Sequence, residues 1–174
     1  MAATQALAGY AAVTATAALG LVLLMIRRLR HGVAAPAHRP LPGSGPEIGR
    51  PAPALDLPPG VEAAGGPRLL AFYSVSCAGC RQSLPRFLPY AREFAGTGGQ
   101  VVAVIVGDER GGAGLASFLH GIATVVHEPE PGVRAGRYGV RLFPQYVLVD
   151  AAGQVIATTH SAAELPHLAG LSGA

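Results

Sequence analysis

The sequence predicts one α/β domain, a mixed sheet flanked by helices, carried behind a single N-terminal transmembrane helix. Three observations lead there: an uncharged apolar run near the start, apolar runs of strand length alternating with helical periodicity, and a Cys-x-x-Cys pair at one strand-to-helix junction. With an anchor set aside, the remainder of the 174 residues is enough for one sizeable core and too short for two.

From Gln5 to Ile26 the chain reads QALAGYAAVTATAALGLVLLMI without a charge, and a helix needs roughly 20 residues to cross the hydrocarbon core. Residues 5–26 are therefore read as a transmembrane helix. A cleaved signal peptide would carry basic residues before its apolar run and a small-residue cleavage site after it. Here RRLRH follows the run, which predicts a retained anchor. Residues 27–50, rich in Pro, Gly, Arg and His, predict a semi-extended tether, and residues 51–172 the folded domain.

The pI near 9.2 invites a nucleic-acid reading until the charge is located. Residues 1–50 carry Arg27, Arg28, Arg30, Arg39 and Arg50 against Glu47, whereas residues 51–174 carry eight arginines against nine acids. The basic character belongs to the membrane flank, the domain is near neutral, and nucleic acid is excluded as an expected partner. Every cation is arginine, with no lysine, which we read as compositional bias without a functional message.

Within the domain, RLLAFYSV (68–75) is nearly all apolar, as a strand buried on both faces should be. Ala78 to Phe94 turns helical, with Leu84, Phe87, Leu88 and Ala91 on one face and Pro85 predicting a kink. QVVAVIVG (100–107) is a second buried strand, GAGLASFLHGI a helix after it, and ATVVH a short strand. GVRAGRYGV predicts a short helix, and RLFPQYVLVD a strand opened by a proline. Asp150 to Gly153 is a turn signal joining that strand to QVIATTH as a hairpin. SAAELPHLAGL predicts a closing helix capped by Ser161, with Glu164 at the capping-box position.

Cys77 and Cys80 are the only cysteines. Cys77 stands where a buried strand stops and a helix begins, where first-turn amides and the helix dipole favour a thiolate. Cys80 follows one turn later on the same face. Thiol-disulfide exchange needs both parts, an exposed thiolate that attacks and a second thiol that resolves the mixed disulfide. Zinc would want a second ligand pair, and the six histidines show no ligand spacing. A structural staple gains from closing a long loop, and this one would close almost none. Redox work is the reading that remains, with no metal and no cofactor expected.

FYSVSCAGCRQSLPRFLPYAREF and RLFPQYVLVDAAGQVIATTHS resemble the active-site strand, Cys-x-x-Cys turn and helix, and the cis-proline loop with its final hairpin, of the thioredoxin superfamily. With the anchor and the linker phrase GRPAPALDL, the chain is most similar to the membrane-anchored TlpA/ResA-like branch, and within it to MauD-like methylamine-utilisation proteins. The resemblance spans about residues 47–170. It implies a thioredoxin-like fold, Cys77 as the attacking thiol, Cys80 as the resolving thiol, Pro144 as the cis-proline facing them, and Phe143 as a backbone site for an extended substrate segment. Two places depart from the superfamily pattern: Ser76 stands where thioredoxin has a tryptophan, and Ala71 where it has a buried aspartate.

The function expected is that of a membrane-tethered thiol-disulfide oxidoreductase, whose partners are protein thiols and disulfides and a further electron-transfer protein. The alternatives are a peroxiredoxin-like thiol peroxidase and a non-catalytic thioredoxin-fold adaptor. On orientation two arguments collide. The RRLRH flank favours a cytoplasmic domain, and the resemblance favours the exported side, where protein disulfides persist; the reading adopted is the exported side.

Overall fold

The structure is a computed structural model and describes residues 44–57 and 65–168. The expected transmembrane helix (5–26) and the tether as far as residue 43 lie outside the described residues. Among those described, no helix is long and apolar enough to cross a membrane.

The elements run β1 (Arg68–Ser74), α1 (Ala78–Gly96), β2 (Gln100–Val106), α2 (Glu109–Leu119), β3 (Thr124–Glu128), α3 (Val133–Arg137), β4 (Gln145–Val149) and β5 (Val155–Thr159), followed by one 3-10 turn, Ala162–Glu164. They build a sheet of order β3-β2-β1-β4-β5. Helices α1 and α2 return the chain so that β1, β2 and β3 lie parallel. Past α3 the direction reverses: β4 is antiparallel to β1, and β5 to β4. The β4–β5 hairpin is closed locally, with the Asp150 carboxylate accepting from Gln154 N at 2.8 Å and its carbonyl from Gly153 N at 3.1 Å.

β1 is apolar on both faces because it lies mid-sheet between two covered surfaces. Leu69, Ala71 and Tyr73 join Ala103, Ile105, Tyr146 and Leu148 in the core under α1 and α2. Leu70 and Phe72 join Val102, Val104, Val147 and Val149 in a second core on the other face, with Ala135 of α3, Tyr138 and Leu55. Helix α1 buries Cys80, Leu84, Phe87, Ala91 and Phe94 at alternating four- and three-residue steps. Pro85, expected to interrupt the helix, lies inside it together with Pro89. Both prolines are exposed, so the carbonyls deprived of their donors face water.

Two elements differ from the sequence expectation. Helix α2 begins at Glu109, ahead of Gly111 and Gly112, because Asp108 caps it by accepting from Gly111 N at 2.7 Å. The expected closing helix is, as far as residue 168, only the 3-10 turn. Ser161 does accept from Ala163 N, but its own amide donates to Thr159 Oγ1, whose hydroxyl donates to Glu164, and Pro166 follows at once.

Residues 44–57 run as a strap against the domain. Gly49 N donates to Val155 O at 2.7 Å, Val155 N to Arg50 O at 2.9 Å, and Ala52 N to Gly153 O at 2.8 Å. The Tyr138 hydroxyl donates to Pro53 O at 2.6 Å, and Arg134 Nε to Asp56 O at 2.8 Å. Residues 44–50, which the sequence reading placed in the tether, are thus hydrogen-bonded to the domain.

Candidate active site

The site is built where β1 ends. Val75 N still donates to Val106 O at 3.0 Å, and the chain then turns through Ser76. The buried Ser74 hydroxyl holds that turn, 2.8 Å from Ser76 Oγ and accepting from Ser76 N at 3.3 Å. Cys77 N donates to Ser74 O at 3.2 Å, which aims the next residues into α1. Gly107, at the end of β2, permits this packing: its φ is +126°, and a Cβ there would stand 2.3 Å from a Val75 methyl.

Cys77 is the N-cap of α1, with extended backbone (φ −94°, ψ 107°), and its side chain makes no capping hydrogen bond. Instead the thiol donates to Phe143 O at 3.3 Å. The Phe143–Pro144 peptide is cis, and its loop brings residues 66 positions away in sequence against the first cysteine. Cys80 follows, its N–H donating to Cys77 O at 3.2 Å. Both thiols are free, Cys77 half-buried and Cys80 fully buried. Burial above all, reinforced by the neighbouring Cys77 thiol, pushes Cys80 up to about 12. One sulfur is therefore presented at a helix N-terminus and the other is held protonated beneath it.

The structure brings all four predicted site residues, Cys77, Cys80, Phe143 and Pro144, to one place. Arg81 lies apart, its guanidinium beside Gly114 of α2, and Asp108 is engaged as a helix cap. Sequence reading missed the groups around them. His160, just past β5, places Nδ1 2.9 Å from Pro144 O; a carbonyl can only accept, so Nδ1 carries the proton. Beside it opens a cleft of about 340 Å³ between Gln82, Ser83 and Arg86 of α1 and Pro144, His160 and Ser161. Tyr73 and Tyr146 lie in the core that contains Cys80. None of these is visible locally, because β5 and α1 meet only through the sheet order.

A parallel β1-β2-β3 unit joined to a β4-β5 hairpin, with a dithiol at the β1–α1 junction and a cis-proline loop opposite, defines a thioredoxin-like fold. No protein-family model and no curated protein matches the sequence. Solved structures do match. A thiol:disulfide interchange protein from Bacteroides sp. is 19% identical with a TM-score of 0.50, over 69% of this chain and 84% of its own. The thioredoxin domain of a Bacteroides vulgatus thiol-disulfide oxidoreductase is 23% identical (TM-score 0.48), over 59% of this chain and 72% of its own. A Chlorobium tepidum protein described as the thiol:disulfide interchange protein DsbE is 31% identical (TM-score 0.45), over 56% and 68%. By fold, this chain is thioredoxin-like.

Proposed function

We propose that the protein is a thiol-disulfide oxidoreductase that exchanges disulfides with client proteins through Cys77 and Cys80, tethered to a membrane by residues 5–26. The observation that carries this reading is the contrast between the two sulfurs: Cys77 half-buried at the tip of α1 against Phe143 O, Cys80 fully buried one turn below. Cys77 attacks a client disulfide, and the cis-proline loop and neighbouring cleft receive the polypeptide around it. Cys80 then displaces the client. A second protein returns the pair to its starting redox state. A thiol three residues away, ready to resolve, favours this over peroxidase chemistry with a distant partner.

Within the superfamily, the proposed placement is the TlpA/ResA-like branch and its MauD-like members. Support comes from the order of apolar run, tether and domain, and from GRPAPALDL, whose Gly49, Arg50 and Ala52 hydrogen-bond to residues 153 and 155 at the start of β5. The proposed side is the exported one, where client disulfides persist. Alkaline phosphatase fused after Ala174 tests that: activity is expected, and an inactive, stably expressed fusion contradicts it. The exchange activity is tested by presenting a disulfide-bonded protein to the reduced chain. One Cys77–Cys80 disulfide should form per client disulfide opened, and Cys77→Ser should abolish the reaction. A chain that leaves the client intact would refute the reading.

A further inference from the structure

Two buried tyrosine hydroxyls lie in the core beneath α1. The buried carboxylate among the described residues, Glu128, is engaged at α3, where it accepts from Arg134 N and Ala135 N. Under α1, Ala71 on β1 presents a methyl and pairs across the sheet with Tyr146 on β4. Tyr146 stacks on Phe87 of α1, with centroids 5.0 Å apart and planes at 12°, and Tyr73 meets Phe87 edge-on at 6.0 Å. Tyr73 and Tyr146 meet edge-on at 6.2 Å. Both tyrosines are fully buried in the cluster that includes Cys80.

Neither hydroxyl has a hydrogen-bond partner. The Tyr73 and Tyr146 hydroxyls interact with each other, and Tyr146 with Ser83, without closing a well-formed hydrogen bond. A buried donor without an acceptor costs stability, and phenylalanine would keep the same ring packing without that cost. Two such groups beside one buried thiol point to a use in the chemistry. With no well-formed hydrogen bond to hold them, the O–H dipoles can turn toward a charge that appears next to them. Burial pushes both phenols above their ordinary range, a Cys80 charge adding to it. They therefore stay protonated, and remain donors, wherever Cys80 reacts.

We propose that the Tyr73 and Tyr146 hydroxyls stabilise the thiolate that Cys80 becomes in the resolving step. This rests on the exchange reading and adds to it the groups that make a deeply buried thiol usable. In the mixed disulfide, Cys77 Sγ is bonded to a client sulfur. Cys80 loses its proton to solvent, and its thiolate attacks Cys77 Sγ. The Cys77–Cys80 bond forms, and the bond to the client breaks with its electron pair. The client sulfur leaves as a thiolate that takes a proton from solvent, so the dithiol is oxidised and the client reduced. In the opposite direction Cys80 is the leaving thiolate, and the same dipoles lower its cost of departure.

The test follows reaction of the full-length reduced chain with the chromogenic disulfide of thionitrobenzoate by stopped flow. A first phase, proportional to reagent, reports attack by Cys77; a second, independent of reagent, reports resolution by Cys80. Tyr73→Phe, Tyr146→Phe and the double variant are compared with the parent. In the double variant the pH midpoint of the second phase should rise by about one unit, a tenfold smaller thiolate fraction at neutral pH. The stronger base recovers about threefold in nucleophilicity, so the second phase slows about threefold at pH 7 relative to the first. Melting temperature should hold or rise, since unsatisfied donors are removed. An unchanged midpoint with an intact first phase overturns this inference alone. A lowered melting temperature with both phases slowed overturns it in favour of a packing role. Absence of the first phase in the parent chain overturns the exchange reading, and this one with it.

Discussion

Replacing Cys77 with serine leaves Cys80 as the sole thiol, and its alkylation rate then measures how completely the fold withholds it. Cys80 has no exposed surface, and burial, the leading cause, moves its pKa from 9.0 to about 12. A shift of about three units lowers the thiolate population at pH 7 about a thousandfold. The stronger base is also the better nucleophile; at a Brønsted coefficient of about 0.4–0.5, that recovers roughly twentyfold. The remainder is about a fiftyfold slowing; serine removes the smaller part of the shift that comes from the Cys77 thiol, and steric exclusion of the fully buried sulfur adds to the part that burial leaves. The assay is iodoacetamide labelling at pH 7, followed by mass spectrometry, on the native Cys77→Ser chain and on the same chain in urea. Native Cys80 should react at least about fiftyfold more slowly than in urea. A native rate within about threefold of the unfolded one would refute the assignment of Cys80 as the withheld, resolving thiol.

Alkali should unfold the protein through the same group. Because the folded Cys80 pKa is raised, its contribution to stability is complete below about 9 and is lost as pH rises toward about 12. Denaturation midpoints in urea should therefore fall across that window, and less steeply in Cys80→Ala. Glu128→Ala leaves Arg134 N and Ala135 N, held at 2.9 and 3.0 Å, without their acceptor. It should cost about 3 kcal/mol in urea unfolding; a loss under about 1 kcal/mol would mean the α3 cap is dispensable. Gly107→Ala places a methyl 2.3 Å from Val75 at φ +126°. It should cost about 2 kcal/mol and slow attack by Cys77, because Val75 leads into the active-site turn. A variant as stable and as fast as the parent would remove Gly107 from the site's architecture.

What the sequence made legible were features of contiguous chain. β1 and β2 announce themselves as unbroken apolar runs, α1 by the spacing of Leu84, Phe87 and Ala91, and the β4–β5 hairpin by Asp150–Gly153. The start of α2 was not legible, because the helical pattern of GAGLASFLHGI begins only at Gly112, whereas the Asp108 side chain caps the helix from Glu109. The closing helix stopped at one turn because the Ser161 amide is taken by the Thr159 hydroxyl and Pro166 follows at once. Cys77 and Cys80 were visible because they are near neighbours, and Pro144 because the resemblance marked it. His160, Tyr73 and Tyr146 were not, since their chemistry arises only when β1, β4 and α1 stack Tyr73, Tyr146, Phe87 and Cys80 together.

The central claim is that Cys77 attacks client disulfides and Cys80 resolves them, and trapping in cells tests it most directly. Full-length Cys80→Ser, with no resolving thiol, should accumulate mixed disulfides through Cys77 that collapse on reduction and are seen as slower bands on non-reducing gels. Cys77→Ser should accumulate none, because fully buried Cys80 has no access to a client. Adducts on Cys77→Ser with none on Cys80→Ser would reverse the assignment of roles. No adducts on either variant, together with full complementation by the double alanine variant, would contradict dithiol exchange altogether.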